Sequence, residues 1–400
     1  MRFLFLTSFY SSIQHSILNN KWNPKGMPAF YLFLEGLDKK YIEFDCIFIG
    51  KNASSVQCLK NTRFTKSTFW IINSEKEKTS FKILDDFWYF KNLNTKVINL
   101  LNLNNYDIIY IDRANIGFIP FIDKKYNGKI ILRLHGIATL FQDFKSIKAK
   151  LFNWYRIFSF RREVDLAIGT RDGTPVAMFF EKYLNKKTPK LIIMNGVKRK
   201  KERIEKNNSN IRFLFLGRLE EDKGIVEVLE AFKKIGTDYG AKVELIIVGN
   251  GSERNTVKNY CKRYSYIIYK GELNHSELRL LHNDIDVTIS INYLGNISNV
   301  ILESIVNETA IITLKEDKKN FYDIDSNSFL NNNVMYVDRN NVPNDLSRII
   351  IELINDRNTL QSFKDLTKNN LKPQLTTWNY RINKEIEYIK KVFNKEFFER

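Results

Sequence analysis

Two stretches in the second half of the sequence gather residue types that handle phosphate and hydroxyl groups. The first is the octapeptide Gly217-Arg218-Leu219-Glu220-Glu221-Asp222-Lys223-Gly224, which follows the apolar run RFLFL and precedes an apolar pattern with helical spacing. A turn between a buried strand and a helix puts free N–H groups and the positive end of a helix dipole at the strand's carboxyl edge, a natural seat for an anion. Arg218 and Lys223 add two cations at that rim. An arginine forks onto phosphate oxygens, and a lysine acts as a point charge. A diphosphate suits this arrangement; a plain surface turn in which Glu220 to Asp222 only complement the dipole is the alternative. The second stretch is NISNVILESIVN, residues 296–307, where Glu303 lies in an apolar helical run. A carboxylate in that setting is costly unless hydrogen-bonded, and the two hydroxyls of a ribose could both donate to it. Asn299 lies one helical turn earlier on the same face. Here the alternative is an exposed glutamate on the outer stripe of an amphipathic helix. A third, weaker feature is the glycine turn Gly249-Asn250-Gly251 after the run ending at Val248.

These residues need a scaffold, and an internal echo supplies its outline. RFLFL occurs at residues 2–6 and again at residues 212–216. Each copy reads as a buried parallel strand opening an α/β domain. After the first come the loop Asn23-Pro24-Lys25-Gly26, a helical stretch at 29–37, and strand-like runs at 44–49, 107–111, 129–134, 166–168 and 191–194. After the second come a helix at 225–235 and runs at 243–248, 266–269, 287–291 and 310–314. Strands alternating with helices imply parallel sheets. The expected architecture is therefore α/β, with two Rossmann-like doubly wound domains: an N-terminal one over 1–200 and a C-terminal one over 207–376. The charged, Asn-rich stretch KRKKERIEKNNSN at 198–210 reads as the linker. Residues 61–99 show no clean period and yield no assignment.

The ordered segments FLGRLEEDKG, LIIVGNGSE, GELNHSEL, DVTISI and GNISNVILESIVNETAII resemble the donor domain of retaining glycosyltransferases of family 4, which have the GT-B fold. The resemblance covers nearly the whole second half. It reaches into the first half through NPKGMPAFYLFLEGL, LRLHGI and IIMNGV, and the terminal TTWNYRINKEIEYIKKVF is similar to closing helices that cross back onto the first domain, completing it with residues 377–400. The resemblance implies two domains facing a cleft and a nucleotide-diphosphate sugar, UDP- or GDP-linked, as donor. The acceptor would be a glycan or lipid-linked molecule of a surface-polysaccharide pathway. In that frame Gly217, Arg218 and Lys223 hold the diphosphate, and Gly249 lines the same rim. Glu303 matches the second glutamate of the family's E-x7-E motif and binds the ribose. Gly295 stands where the first glutamate belongs, and Asn296 and Asn299 are the candidates to take over its contact with the sugar. Gly26 lies where the family has a glycine loop facing the phosphates, with Met27 in place of a second glycine. His135, followed by Gly136 at the end of a strand, would hydrogen-bond the sugar or stabilise charge beside the reacting carbon, unless it is a satisfied structural histidine. His135, Arg218 and Lys223 are thus the expected catalytic set. No cofactor and no metal is implied. Asp284-Ile285-Asp286 reads as the lead into a strand and Asp323-Ile324-Asp325 as a surface loop.

Composition sets the remaining bounds. The 400 residues are 44% hydrophobic and 27% charged, with a formal net charge of +18. Such a surface attracts polyanions, but neither a basic tail nor zinc-finger spacing points to nucleic acid. Cys46, Cys58 and Cys261 form neither a CxxC pair nor a disulfide ladder, which fits a reducing cytoplasm. The opening MRFLFLTSFY reads as a first strand rather than a leader, and no apolar run is long enough to span a bilayer. Residues 144–162, FKSIKAKLFNWYRIFSFRR, interleave cations with aromatic rings. They suit either an anionic membrane surface, placing the protein peripherally on its inner face, or a covering helix whose lysines snorkel over packed rings. Two rivals to the transferase remain, a non-catalytic scaffold of the same fold and a nucleotide-sugar epimerase.

Overall fold

Both RFLFL segments form buried strands, and each sits inside its own parallel sheet. The computed structural model describes residues 1–8, 11–24, 26–50, 57–73, 82–122, 126–137, 140, 144, 146–198 and 209–394. Most of the charged stretch singled out as a linker, 199–208, lies outside the described residues, as does Lys25. The chain divides into two compact units. The first comprises Met1–Thr170, Val176–Met194 and Trp378–Arg400; the second comprises Arg171–Pro175 and Asn195–Thr377.

The first unit is built on eight strands: β1 (Arg2–Ser8), β2 (Glu43–Gly50), β3 (Gln57–Asn61), β4 (Phe64–Asn73), β5 (Ile108–Asp112), β6 (Lys129–Leu134), β7 (Leu166–Arg171) and β8 (Lys190–Met194). Their order across the sheet is β3-β4-β2-β1-β5-β6-β7-β8. The β3–β4 hairpin is antiparallel and extends one edge. Central strands buried on both faces read as continuous apolar runs, and β1 buries Phe3, Leu4, Phe5 and Leu6 completely. The core is aromatic: Phe5 meets Phe30, Phe33 and Phe44 edge-on at centroid distances of 5.7, 6.1 and 6.0 Å, a geometry that adds to simple burial.

The C-terminal helix Trp378–Phe393 belongs to this first unit. Its Arg381 and Glu385 are both fully buried. Glu385 accepts a hydrogen bond from the Tyr110 hydroxyl at 2.5 Å and pairs with Arg381 at 2.5 Å and Arg133 at 3.8 Å. Gly36, on the helix Pro28–Lys39, allows close approach: a Cβ there would come within 2.5 Å of Ile382.

The second unit has six strands: β9 (Ile211–Leu216), β10 (Val243–Val248), β11 (Ile267–Gly271), β12 (Val287–Ser290), β13 (Ala310–Leu314) and β14 (Met335–Val337). All pair in parallel, in the order β11-β10-β9-β12-β13-β14. Sequence order reverses direction at β9, which lies between β10 and β12. That makes the carboxyl edge of β9 and β12 the topological switch point, where open α/β sheets bind ligands. Among the described residues no helix is long and apolar enough to cross a membrane.

Candidate functional site

The switch point of the second unit is built from two loops that interlock through glycines. Gly217 N–H donates to the Val248 carbonyl at 3.1 Å, and Leu219 N–H donates to Asn250 O at 2.9 Å. Gly249, at φ 140°, lies against Gly217 so closely that an added Cβ would collide with the Gly217 carbonyl oxygen. This close backbone approach is what the glycine permits. The loop after β9 therefore has a fixed floor. From it Arg218 projects into solvent, 68% exposed, with only a loose 3.8 Å contact to Asp222. Lys223 is more enclosed. Its ammonium donates to Asn292 Oδ1 at 2.8 Å and pairs with Asp222 at 2.9 Å. Gly224, at φ 65°, packs on Ile291 and opens the helix Ile225–Lys234, whose first turn presents its N–H groups at the same edge. Glu220 is held away by Ser252, whose N–H and hydroxyl donate to it at 3.2 and 2.6 Å.

Lys223 also ties the β9 loop to the loop after β12. Asn292 accepts from Lys223, and its backbone N–H donates to Asn296 Oδ1 at 3.2 Å. Gly295 sits at φ 116° and is buried. A Cβ built there would lie 2.7 Å from Asp172 O and 3.0 Å from both Gly173 C and Thr174 N. The position expected to carry a sugar-reading glutamate thus has neither the backbone conformation nor the room for a side chain.

Two expectations about this loop are corrected. Asn296, proposed to contact the sugar, is fully buried, and its amide donates to Asp323 Oδ2 at 2.7 Å. Both ends of its side chain are engaged in holding the loop, so it presents none to a ligand. Asp323 is not a surface-loop residue but is fully buried. Its carboxylate accepts from Asn296 N–H at 2.6 Å and from Ser326 at 3.0 Å, and it pairs with Arg339. Sequence spacing gave no sign of this, because Arg339 and Asn296 lie 16 and 27 residues away.

Asn299 and Glu303 stand on the helix Asn299–Val306, which Ser298 caps. Asn195 donates to Asn299 Oδ1 at 2.9 Å, leaving the Asn299 amide with no hydrogen bond among the described residues. Glu303 is exposed, and its carboxylate makes no hydrogen bond among the described residues. Protein packed around it pushes its carboxyl up from the ordinary value, and Lys198 pulls it the other way. A single exposed carboxylate one turn from an amide donor can accept from two vicinal hydroxyls.

The first unit holds the other two candidates. His135 follows β6 directly, and both ring nitrogens are shut off from solvent with no partner among the described residues, although part of the residue's surface stays open. Burial first, then the charges of Arg133, Arg381 and Arg113, push its pKa well below the ordinary histidine value. The imidazole is therefore neutral; of the two roles expected of it, it can donate or accept a hydrogen bond, and it carries no positive charge of its own. Gly26 and Met27 take successive left-handed conformations, φ 71° and 49°, before the helix Pro28–Lys39. Met27 adopts a left-handed backbone, which glycine takes more readily than a side-chain-bearing residue. Among the described residues no group of three or more His, Cys, Asp or Glu is placed to hold a metal ion.

Residues 196–370 match the family described as Glycosyl transferases group 1. An uncharacterized glycosyltransferase of Methanocaldococcus jannaschii is 25% identical over 194 residues, 48% of this chain and 47% of that one. That match spans about half the length of the relative. Among solved structures, sucrose-phosphate synthase from Thermosynechococcus elongatus superposes with a TM-score of 0.69 at 13% identity, over 99% of this chain and 100% of that one. The lipopolysaccharide outer core galactosyltransferase WaaB gives 0.61 at 11% identity, over 97% and 99%. At such identities the likeness establishes the fold, and the fold is GT-B.

Proposed function

We propose that the protein is a retaining glycosyltransferase whose second unit binds a nucleotide-diphosphate sugar, UDP- or GDP-linked. The observation that carries this is that Arg218, Lys223 and the helix start at 225 follow β9, while Asn299 and Glu303 lie on the helix after β12, its neighbour at the sheet's switch point. Arg218 and Lys223 would neutralise the diphosphate as it leaves, so the reaction needs no metal ion to do so. Glu303 would accept from the ribose hydroxyls. The Asn299 amide would meet the sugar in place of a glutamate.

In the transfer, the bond from the anomeric carbon to the diphosphate oxygen breaks and a bond to the acceptor oxygen forms on the same face. The acceptor's proton passes to the departing diphosphate. Neutral His135 in the first unit would hydrogen-bond a hydroxyl rather than supply charge. The family match over 196–370 and the M. jannaschii relative support the transferase reading over the scaffold and epimerase alternatives. Hydrolysis and transfer measured over UDP-, GDP- and ADP-sugars test it; absence of both binding and turnover with all of them would refute it.

The acceptor is proposed to be a glycan or lipid-linked molecule of surface-polysaccharide synthesis, met at an anionic membrane surface. Support comes from the first unit, where Ile147, Leu151, Phe152 and Phe158 are 86, 55, 44 and 44% exposed. Lys148 and Lys150 are exposed among them. Tyr155, Ile157 and Phe160 are buried underneath. Apolar side chains interspersed with lysines on an outer face match the interfacial pattern.

A further inference from the structure

We infer that the buried Asp323–Arg339 pair is a positioning device for Lys223, acting through the loop at residues 292–296. The inference rests on the reading of Lys223 as a diphosphate ligand. The connection is continuous and lies within the second unit. Arg339 donates to the Tyr293 carbonyl at 3.1 Å and to Lys315 O at 2.7 Å, and it pairs with Asp323. Asp323 holds Asn296 by both its backbone N–H and its side-chain amide. Asn296 Oδ1 receives the backbone N–H of Asn292, and the Asn292 amide donates to Gly295 O. Asn292 Oδ1 receives the ammonium of Lys223 at 2.8 Å.

The loop is gripped at Tyr293, Gly295 and Asn296, and its Asn292 Oδ1 meets the lysine. Gly173 is part of the same knot: its carbonyl accepts from Asp323 N–H at 2.7 Å, and at φ 90° it leaves space that a side chain would take from Asp323 and Ser326. Asp323 itself holds a left-handed backbone conformation, φ 63°. Burial also raises its carboxyl despite the facing Arg339. A buried ion pair is poor evidence of stabilisation and is better explained by what it orients. Here it orients the partner of a residue at the ligand edge.

A double-mutant cycle read by nucleotide affinity tests this. The probes are UDP, GDP and ADP, with the matching nucleoside of whichever binds, measured by calorimetry on the full chain. Asp323→Asn preserves size and removes the charge. It is expected to weaken the diphosphate about 10-fold with Lys223 present and less than about 2-fold in the Lys223→Ala background, because residues acting through one network are not additive. Nucleoside affinity should hardly change. Equal losses in both backgrounds, or equal losses for nucleoside and diphosphate, would mean that Asp323 is merely structural and would overturn the inference. If Asp323→Asn does not fold, the same cycle with Asn292→Ser decides by the same criteria. Wild-type protein that binds none of the three nucleotides overturns the diphosphate reading and the inference with it. Binding that Lys223→Ala leaves intact does the same.

Discussion

Restoring the missing glutamate is the perturbation that separates a lost contact from a rebuilt site. If Gly295 were simply a degenerate motif position, Gly295→Glu would fold and tighten binding of the donor sugar. The geometry argues for the opposite. At φ 116° any side chain is strained, by about 1–2 kcal/mol on the scale for left-handed backbone. The added Cβ at 2.7 Å from Asp172 O and 3.0 Å from Gly173 C and Thr174 N meets backbone atoms, which yield less easily than side chains. Overpacking of that kind costs about 1–3 kcal/mol more. The sum, about 2–5 kcal/mol, corresponds to roughly 4–20 °C of melting temperature for a unit of this size. The assay is thermal unfolding of wild type, Gly295→Ala and Gly295→Glu, with nucleotide-sugar and nucleotide affinity measured on each folded variant. Alanine should already show most of the loss, since the conflict begins at Cβ. A Gly295→Glu protein that melts with the wild type and discriminates donor sugars better would refute the reasoning.

Arg218→Ala and Lys223→Ala should each weaken nucleotide-diphosphate binding about 10- to 100-fold, the range for charge-assisted hydrogen bonds, while leaving nucleoside affinity unchanged; calorimetry checks both. Burial raises the Asp323 carboxyl from 3.8 to about 6 with Arg339 and Tyr336 facing it, so between those values the folded chain keeps a proton that the unfolded chain has lost. The stability from this group is thus full below about pH 4 and lost by about pH 6. Asp323→Asn should therefore gain on the wild type in melting temperature between pH 4.5 and pH 7, and a constant difference would refute the assignment. Glu385→Gln leaves two buried guanidiniums without their counter-charge and should destabilise the first unit by about 3–5 kcal/mol in denaturant unfolding. Replacing Ile147, Leu151 and Phe152 together by serine should abolish binding to phosphatidylglycerol vesicles at unchanged melting temperature; retained sedimentation with vesicles would remove the membrane surface from the account.

The frame of the molecule was legible because buried parallel strands announce themselves as short apolar runs. The runs at 129–134, 243–248 and 310–314 coincide with β6, β10 and β13 end to end. The β3–β4 hairpin escaped because its buried positions, Asn61, Phe64, Ser67, Phe69, Ile71 and Ile72, alternate only over 67–71 and include the polar Asn61 and Ser67. Arg218, Lys223 and Glu303 could be picked out because each follows a strand or lies on a helix whose position the pattern fixes. What could not be read was the interior of the polar loop. Asn296 looks like a ligand contact in the linear motif and is turned inward by Asp323, whose own partner comes from beyond β14. The neutrality of His135 was hidden for the same reason: Arg133 is a local neighbour, but Arg381 comes from the C-terminal helix.

The central claim is that a nucleotide-diphosphate sugar is held at the β9 and β12 edge of the second unit. A structure determined with UDP or GDP bound tests it most directly. The account expects the diphosphate against Arg218, Lys223 and the helix start at Ile225, with the ribose hydroxyls on Glu303. Nucleotide bound elsewhere, or a ribose that leaves Glu303 untouched while the phosphates miss Lys223, would contradict it.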